Sequence, residues 1–263
     1  MKDIFQIKLS ARELFVVSAL LGYESVFGIE DDAFLLSGVE MKTQIRQTVQ
    51  QLERKKLIRY DLDGTLYIKP EFKKTIDCIC CADTVGCFSS NLGTGKKVAV
   101  YVMEKNSDTV TVENTGNGKY KLYLDSHVPA HRIFSKELLT PQNREINEMM
   151  LLEEVQYAQA QIEAFNSEEA KECIGKHTHD KNAVEMIARI LGKKCGYMSF
   201  QIHQRSKQLY KAVCDGLFVC DGDCTVSVSI DSNDVVRFKS IPPYSVLKCM
   251  NNYLSFCDEE GMQ

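Results

Sequence analysis

Eleven cysteines and five histidines are the residues of this 263-residue chain best suited to hold a metal or act as nucleophiles. Cys78, Cys80, Cys81 and Cys87 cluster, but adjacent and alternate spacing is not the two-residue knuckle of a zinc ribbon. A helix through 78–81 would also aim the three thiols in different directions. Cys214, Cys220 and Cys224 bracket a strand pair and lack a knuckle as well. His177 and His179 sit in a polar connection beside Lys176 and Lys181, where plain solvation is the simpler reading. His203 falls in a predicted strand without a spaced acid, and His127 and His131 flank Pro129. A cysteine nucleophile needs a base and an orienting group, and no spacing here fixes either. Gly93-Thr94-Gly95-Lys96-Lys97 looks like a phosphate loop, yet Ser90 stands where the first glycine belongs and Lys97 where a Ser or Thr must bind the metal. Lying between strands, it reads as a hairpin turn. The pairs Asp31-Asp32, Glu153-Glu154 and Glu168-Glu169 form no acid–base signature. The expectation is a protein with no catalytic residues, no metal and no cofactor, hence not an enzyme. A constellation assembled from distant positions leaves no such spacing; its sign would be a pocket holding His203 or a cysteine beside acids.

A binding surface is the remaining kind of site. Periodicity predicts a long helix over 143–165. Leu151, Val155, Ala158, Ile162 and Phe165 make one stripe, and Ile146, Met149, Met150 and Tyr157 fall on the opposite side. A helix apolar on two sides is either sandwiched in a core or partly free for a partner. If the second stripe is free, its paired methionines suit adaptable recognition of a helix. Ile146, Met149, Met150 and Tyr157 are therefore the candidate partner-binding residues.

Composition sets the frame for these elements. With 44% apolar and 26% charged residues and only 15 Gly and 5 Pro, the chain is globular and long enough to bury a core. The net charge of -4 supplies no whole-molecule field for nucleic acid or acidic lipid. No apolar run approaches a bilayer span and no signal-peptide pattern opens the chain, so a cytoplasmic protein without membrane contact is expected. In that compartment an odd number of cysteines argues for reduced thiols.

The order of elements follows from pattern. Ser10-Ala11-Arg12-Glu13 fits a capping box ahead of a helix over 11–23. A second helix covers 39–57, Asp61-Leu62-Asp63-Gly64 turns a hairpin, and Pro70 opens a third helix to about Cys81. Strands are predicted at 85–91, 97–104, 108–113 and 118–125, then a helix after Pro129. The second half, from 140, reads as the long helix, another near 180–193, strands at 197–203, 209–214, 217–220, 224–230 and 234–240, and a last helix from Pro242-Pro243. Each half ends with a strand, a proline and a helix. The fold class is thus α+β: antiparallel sheets flanked by helices, in two related halves (1–139 and 140–263) with pseudo-two-fold symmetry, forming one compact body.

Two functional readings remain. Helix, helix, hairpin, helix over 10–81 is winged-helix-like, and residues 40–56 carry five bases against two acids, which raises a DNA-binding transcription regulator. Asp61 and Asp63 at the wing tip and the overall charge speak against nucleic acid. The other reading is a resemblance. The start Leu9-Ser10-Ala11-Arg12-Glu13-Leu14, the hairpin Arg59-Tyr60-Asp61-Leu62-Asp63-Gly64-Thr65-Leu66 and the end, Asn233-Asp234-Val235-Val236-Arg237-Phe238-Lys239-Ser240-Ile241-Pro242-Pro243 leading to Leu247 and Leu254, resemble the EspG-like substrate chaperones of type VII (ESX) secretion. The chain departs from that family in its many Cys and Lys and few Ala and Pro. The resemblance implies a non-enzymatic binding protein that holds a helical secretion substrate in the cytosol and uses no ATP or metal.

Overall fold

The computed structural model describes residues 5–29, 38–91, 98–124, 145–207, 209–221, 224–242 and 245. The phosphate-loop-like segment, the helix expected after Pro129, all of the helix expected from Pro242-Pro243 but Pro242 and Ser245, and Asp31, Asp32, His127 and His131 lie outside these residues. Twelve strands and six helices are described. In the first part these are β1 (Gln6–Ser10), α1 (Ala11–Leu20), α2 (Gly38–Arg54), β2 (Ile58–Tyr60), β3 (Leu66–Ile68), α3 (Pro70–Cys81), β4 (Thr84–Asn91), β5 (Val98–Lys105), β6 (Asp108–Gly116) and β7 (Lys119–Leu124). In the second they are β8 (Asn147–Leu151), α4 (Leu152–Glu163), α5 (Ser167–Gly175), α6 (Lys181–Leu191), β9 (Gly196–Ser206), β10 (Leu209–Asp221), β11 (Cys224–Ile230) and β12 (Val235–Ser240).

The fold is α+β. A ten-stranded sheet has the order β1-β7-β6-β5-β4-β9-β10-β11-β12-β8, and β2 and β3 form a separate hairpin. The pairs β1–β7, β7–β6, β6–β5, β10–β11, β11–β12, β12–β8 and β2–β3 are all antiparallel. The order repeats: β1-β7-β6-β5-β4 and β8-β12-β11-β10-β9 are the same arrangement, with three helices between the first and second strand of each. Two compact units divide the chain, Met1–Cys87 with Val98–His131 and His203–Lys211, and Phe88–Lys97 with Arg132–Ile202 and Ala212–Gln263.

In the first unit, local signals decide the helices. Ser10 Oγ accepts the Glu13 N–H, and the Ser10 N–H donates to Glu13 Oε2 at 2.8 Å, which satisfies two free donors at the start of α1. Pro70 opens α3 where its missing N–H is harmless. The wing turn closes through Gly64 N–H to Asp61 O, with Gly64 at φ +82, open to glycine at no steric cost. Thr65 donates to Asp63 Oδ1 and holds that carboxyl below its ordinary value. Leu14 and Val17 of α1, Leu52 of α2 and Phe72, Ile76 and Ile79 of α3 meet Met103, Val110, Val112 and Leu122 of the sheet in one core. The helix–helix–hairpin–helix order expected over 10–81 is present.

In the second unit, α4, α5 and α6 pack on one another, and α4 also lies on β8 and β12. Ile146, Met150, Val155, Ala158, Ile174, Met186, Ile187, Val226, Val236 and Phe238 share a core. All of these but Ala158 each contribute about 1.5–3 kcal/mol on full burial. The helix expected over 143–165 is a correction. Residues 147–151 form β8, paired antiparallel with β12 (Met150↔Val236, Met149↔Arg237), and only 152–163 are helical. The segment is rich in good helix formers, but sheet pairing overrides propensity. Two shorter elements, β1 and α5, have no counterpart in the sequence reading. β10 runs unbroken through Asp215-Gly216, where two strands were expected.

Candidate binding groove

The change from helix to strand dissolves the expected apolar stripe. Ile146 and Met150 point into the core at 4% and 1% exposure, while Met149 (52%) and Tyr157 (45%) are exposed on different elements, β8 and α4. Met149 Sδ lies 3.5 Å from Arg237 Nη2. The Tyr157 hydroxyl donates to Glu169 on α5, and that bond raises its pKa. The four residues therefore form no single surface.

A different surface does form in the second unit. The helices α4 and α6 and the strands β9–β12 enclose an apolar groove of about 620 Å³. Its floor is Val155, Val219, Val236 and Phe238, all buried. Its rim includes Leu217 on β10 and Ile230 on β11, at 40% and 58% exposure, with Lys193 beside them. Strand alternation places these rim residues: Leu217 pairs with Val228, and Ile230 with Val236. Phe200 and Phe218, stacked at 5.7 Å, come from the same strands but lie outside the groove. The Gly216 between them leaves no room for a side chain, since a Cβ would meet Phe200 Cε1 at 2.5 Å. An apolar floor with a half-exposed apolar rim can bury the side chains of a partner; Cys195, Tyr197 and Lys193 also line the groove, with no histidine, aspartate or glutamate among its lining residues.

Several of the chemistry-bearing residues are engaged structurally. Cys78 Sγ is 3.3 Å from Met103 O, and burial pushes its thiol up to about 12; burial likewise raises Cys80 and Cys87 to about 11. Such thiols are poor nucleophiles. The described cysteines are free thiols, and no group of three or more metal-ligating residues occurs among the described residues. The His203 ring packs against Phe27 at 5.5 Å. His177 is not simply solvated: its Nε2 lies 3.0 Å from Glu154 Oε1, and the other Glu154 oxygen takes the Leu151 N–H at the start of α4. Among the described residues, no helix is long and apolar enough to cross a membrane.

No protein-family model matches the chain, and no curated protein does. A solved structure matches over 97% of this chain and 98% of its own, with a TM-score of 0.59 and 9% sequence identity. The fold is similar to that of a secretion chaperone. That protein is EspG5 of the Mycobacterium tuberculosis type VII secretion system, solved in complex with a PE25-PPE41 dimer. At this identity the likeness is one of fold, and the relationship is distant. The groove residues were visible in the sequence as apolar alternation in strands, but nothing in their spacing gathers β10, β11, β12, α4 and α6 around one space.

Proposed function

We propose that this protein is a non-enzymatic, cytoplasmic binding protein that holds a helical protein substrate for secretion, as a type VII secretion chaperone does. The observation that carries the reading is the fold likeness to EspG5 along nearly the whole chain. The groove of the second unit supports it, because a helix about 10–12 Å across with an apolar stripe suits a concave apolar surface with an exposed rim. Binding energy alone does the work, so no cofactor is needed. The two-half division at about residue 139 remains part of the same proposal.

The test is affinity capture of the tagged full chain from its own cell lysate, with identification by mass spectrometry and stoichiometry by light scattering. The expected result is one stoichiometric helical protein, lost when Leu217→Lys and Ile230→Lys are introduced together while circular dichroism stays native. Capture unchanged by these substitutions would remove the groove from the proposal. Recovery of DNA without a protein partner would replace the whole reading.

That second reading is a winged-helix DNA-binding regulator, favoured by the exposed bases Arg54 and Lys56 at the end of α2. Against it, Lys55 is committed to Glu13 at 2.6 Å, and Arg59 on the wing lies 3.6 Å from Asp61.

A further inference from the structure

A second concavity, of about 630 Å³, lies in the first unit, between Phe5 and the Gln6 to Lys8 stretch of β1 on one side and Lys55, Lys56 and Lys69 on the other. Four lysines line it in a chain whose net charge is -4. Lys55 is used internally: its Nζ sits 2.6 Å from Glu13 Oε1 and donates to Lys8 O at 3.1 Å. Glu13 is in turn consumed by Lys55 and the Ser10 N–H. Lys69 Nζ lies 4.9 Å from the Phe5 ring centre and only loosely near Glu71, at 3.9 Å. Lys8 stands directly across the strand pair from Lys121. Glu113 stands opposite Lys121 on its other side and offsets that cation, so the charge that faces the cleft is that of Lys8, Lys56 and Lys69.

The backbone at this place is as telling as the charge. Among the described residues β1 is an edge of the sheet and pairs with β7 alone. Leu124 N–H donates to Phe5 O and Ala11 N–H to Gly118 O, so odd-numbered residues turn their backbone groups toward β7 and Gln6, Lys8 and Ser10 turn theirs outward. Glu13 takes the Ser10 N–H and Lys55 takes Lys8 O. The Gln6 N–H, the Gln6 C=O and the Lys8 N–H face the cleft, and no described strand pairs with them.

We propose that this cleft binds an acidic polypeptide segment in extended form, which adds as a strand to the open edge of β1 and sets its carboxylates against Lys8, Lys56 and Lys69. The edge presents both donors and an acceptor. A peptide backbone answers both, whereas a nucleic-acid backbone has only acceptors for phosphate contacts and leaves the Gln6 C=O unanswered. The proposal is independent of the helical-client reading and uses a different unit of the chain.

The experiment is fluorescence anisotropy of the full chain with a labelled peptide of alternating Glu and Val, beside the same peptide N-methylated at alternate residues and a labelled DNA duplex. The unmethylated peptide is expected to bind saturably and to weaken about five-fold or more between about 50 and about 300 mM salt. N-methylation, which keeps the charge and removes the strand donors, should weaken it about ten-fold, and Lys8→Glu with Lys56→Glu by at least about ten-fold. Gln6→Pro removes only an outward N–H, a change edge strands accept, and should weaken binding with the thermal midpoint unchanged. Leu217→Lys with Ile230→Lys should leave this binding intact, which separates it from the groove. Equal binding of both peptides, tighter binding of the duplex, or no saturable peptide binding would each overturn the proposal; in the last case the lysines only guard the edge against pairing. The wild-type comparison of the two peptides holds even if a substituted chain fails to fold.

Discussion

Met149 and Met150 are neighbours in sequence and opposites in structure, so the same substitution at each should have very different effects. Met150 is 1% exposed in the second core, opposite the buried Val236. Met150→Asp forfeits the burial of a large side chain, about 1.5–3 kcal/mol. It also leaves a polar group without a partner, about 1–3 kcal/mol more even if the carboxyl stays neutral. A cost near ~4 kcal/mol is a large part of the ~5–15 kcal/mol that holds a domain folded. Met149 is 52% exposed, with Arg237 opposite it and a guanidinium nitrogen 3.5 Å from its sulfur. Met149→Asp sets a carboxylate against that cation, worth about 0.2–1 kcal/mol in favour of folding. Urea unfolding at neutral pH, followed by circular dichroism, reads the difference as a shift in midpoint at unchanged slope. The pH dependence adds a sign. A carboxyl introduced at 150 is desolvated, so its folded pKa lies above its unfolded one. The folded state then binds the extra proton, and the deficit is smallest below pH ~4 and deepens as pH rises. Equal losses at 149 and 150, or a larger loss at 149, would refute the strand assignment and restore the helix.

Three further outcomes follow from the same structure. Burial holds the Cys78 thiol up to about 12 and those of Cys80 and Cys87 to about 11; the folded chain keeps these protons, so the stability they secure is complete below pH ~8.5 and lost as pH rises beyond it. Thermal midpoints should fall through the alkaline range, Cys78→Ala should flatten that fall, and native Cys78 should resist thiol reagents at neutral pH. Gly216→Ala should cost the second unit about 1–3 kcal/mol by driving a methyl into Phe200 and Phe218, and a midpoint unchanged by the substitution would mean that the rings can move apart. Ser10→Ala should cost about 1 kcal/mol as a lost cap, and Glu13→Ala more because it also frees Lys55; since Ser10 and Glu13 bond to each other, the double variant should cost less than the sum of the two, as a double-mutant cycle would show.

What was legible in the sequence was whatever the chain specifies locally. The capping box at Ser10, Pro70 at the start of α3 and the Asp-Gly turn each fix their own elements through a few neighbouring atoms. The alternating valines of β5 and β6 likewise declare their period. What failed depended on partners far away in sequence. The partners of β8 in β12 lie more than eighty residues on, and β1 is completed by β7 more than a hundred residues on. In isolation Glu148-Met149-Met150-Leu151 favours a helix; only the ladder makes it a strand. The groove and the basic cleft share that blindness, because each is walled by elements from separate stretches of chain.

The repeated strand order explains why those two missed strands matter most. Each half opens with a short strand that must wait for its last strand before it can pair, and three helices fill the interval. Such non-local closure places the opening strand at a sheet edge, where its outward backbone groups meet no further strand among the described residues. The halves share this frame but differ in edge chemistry. The β1 edge carries Lys8 in a cleft with Lys55, Lys56 and Lys69, whereas β8 shows the exposed Met149 and Leu151. Sheet pairing asks only for alternation and register, so a frame of this kind survives with few identical residues. That is how 9% identity and a TM-score of 0.59 occur together. Edge and groove residues are released from the pairing constraint, so they are free to differ between chains of this fold and are the places where the two proposed partners are to be tested.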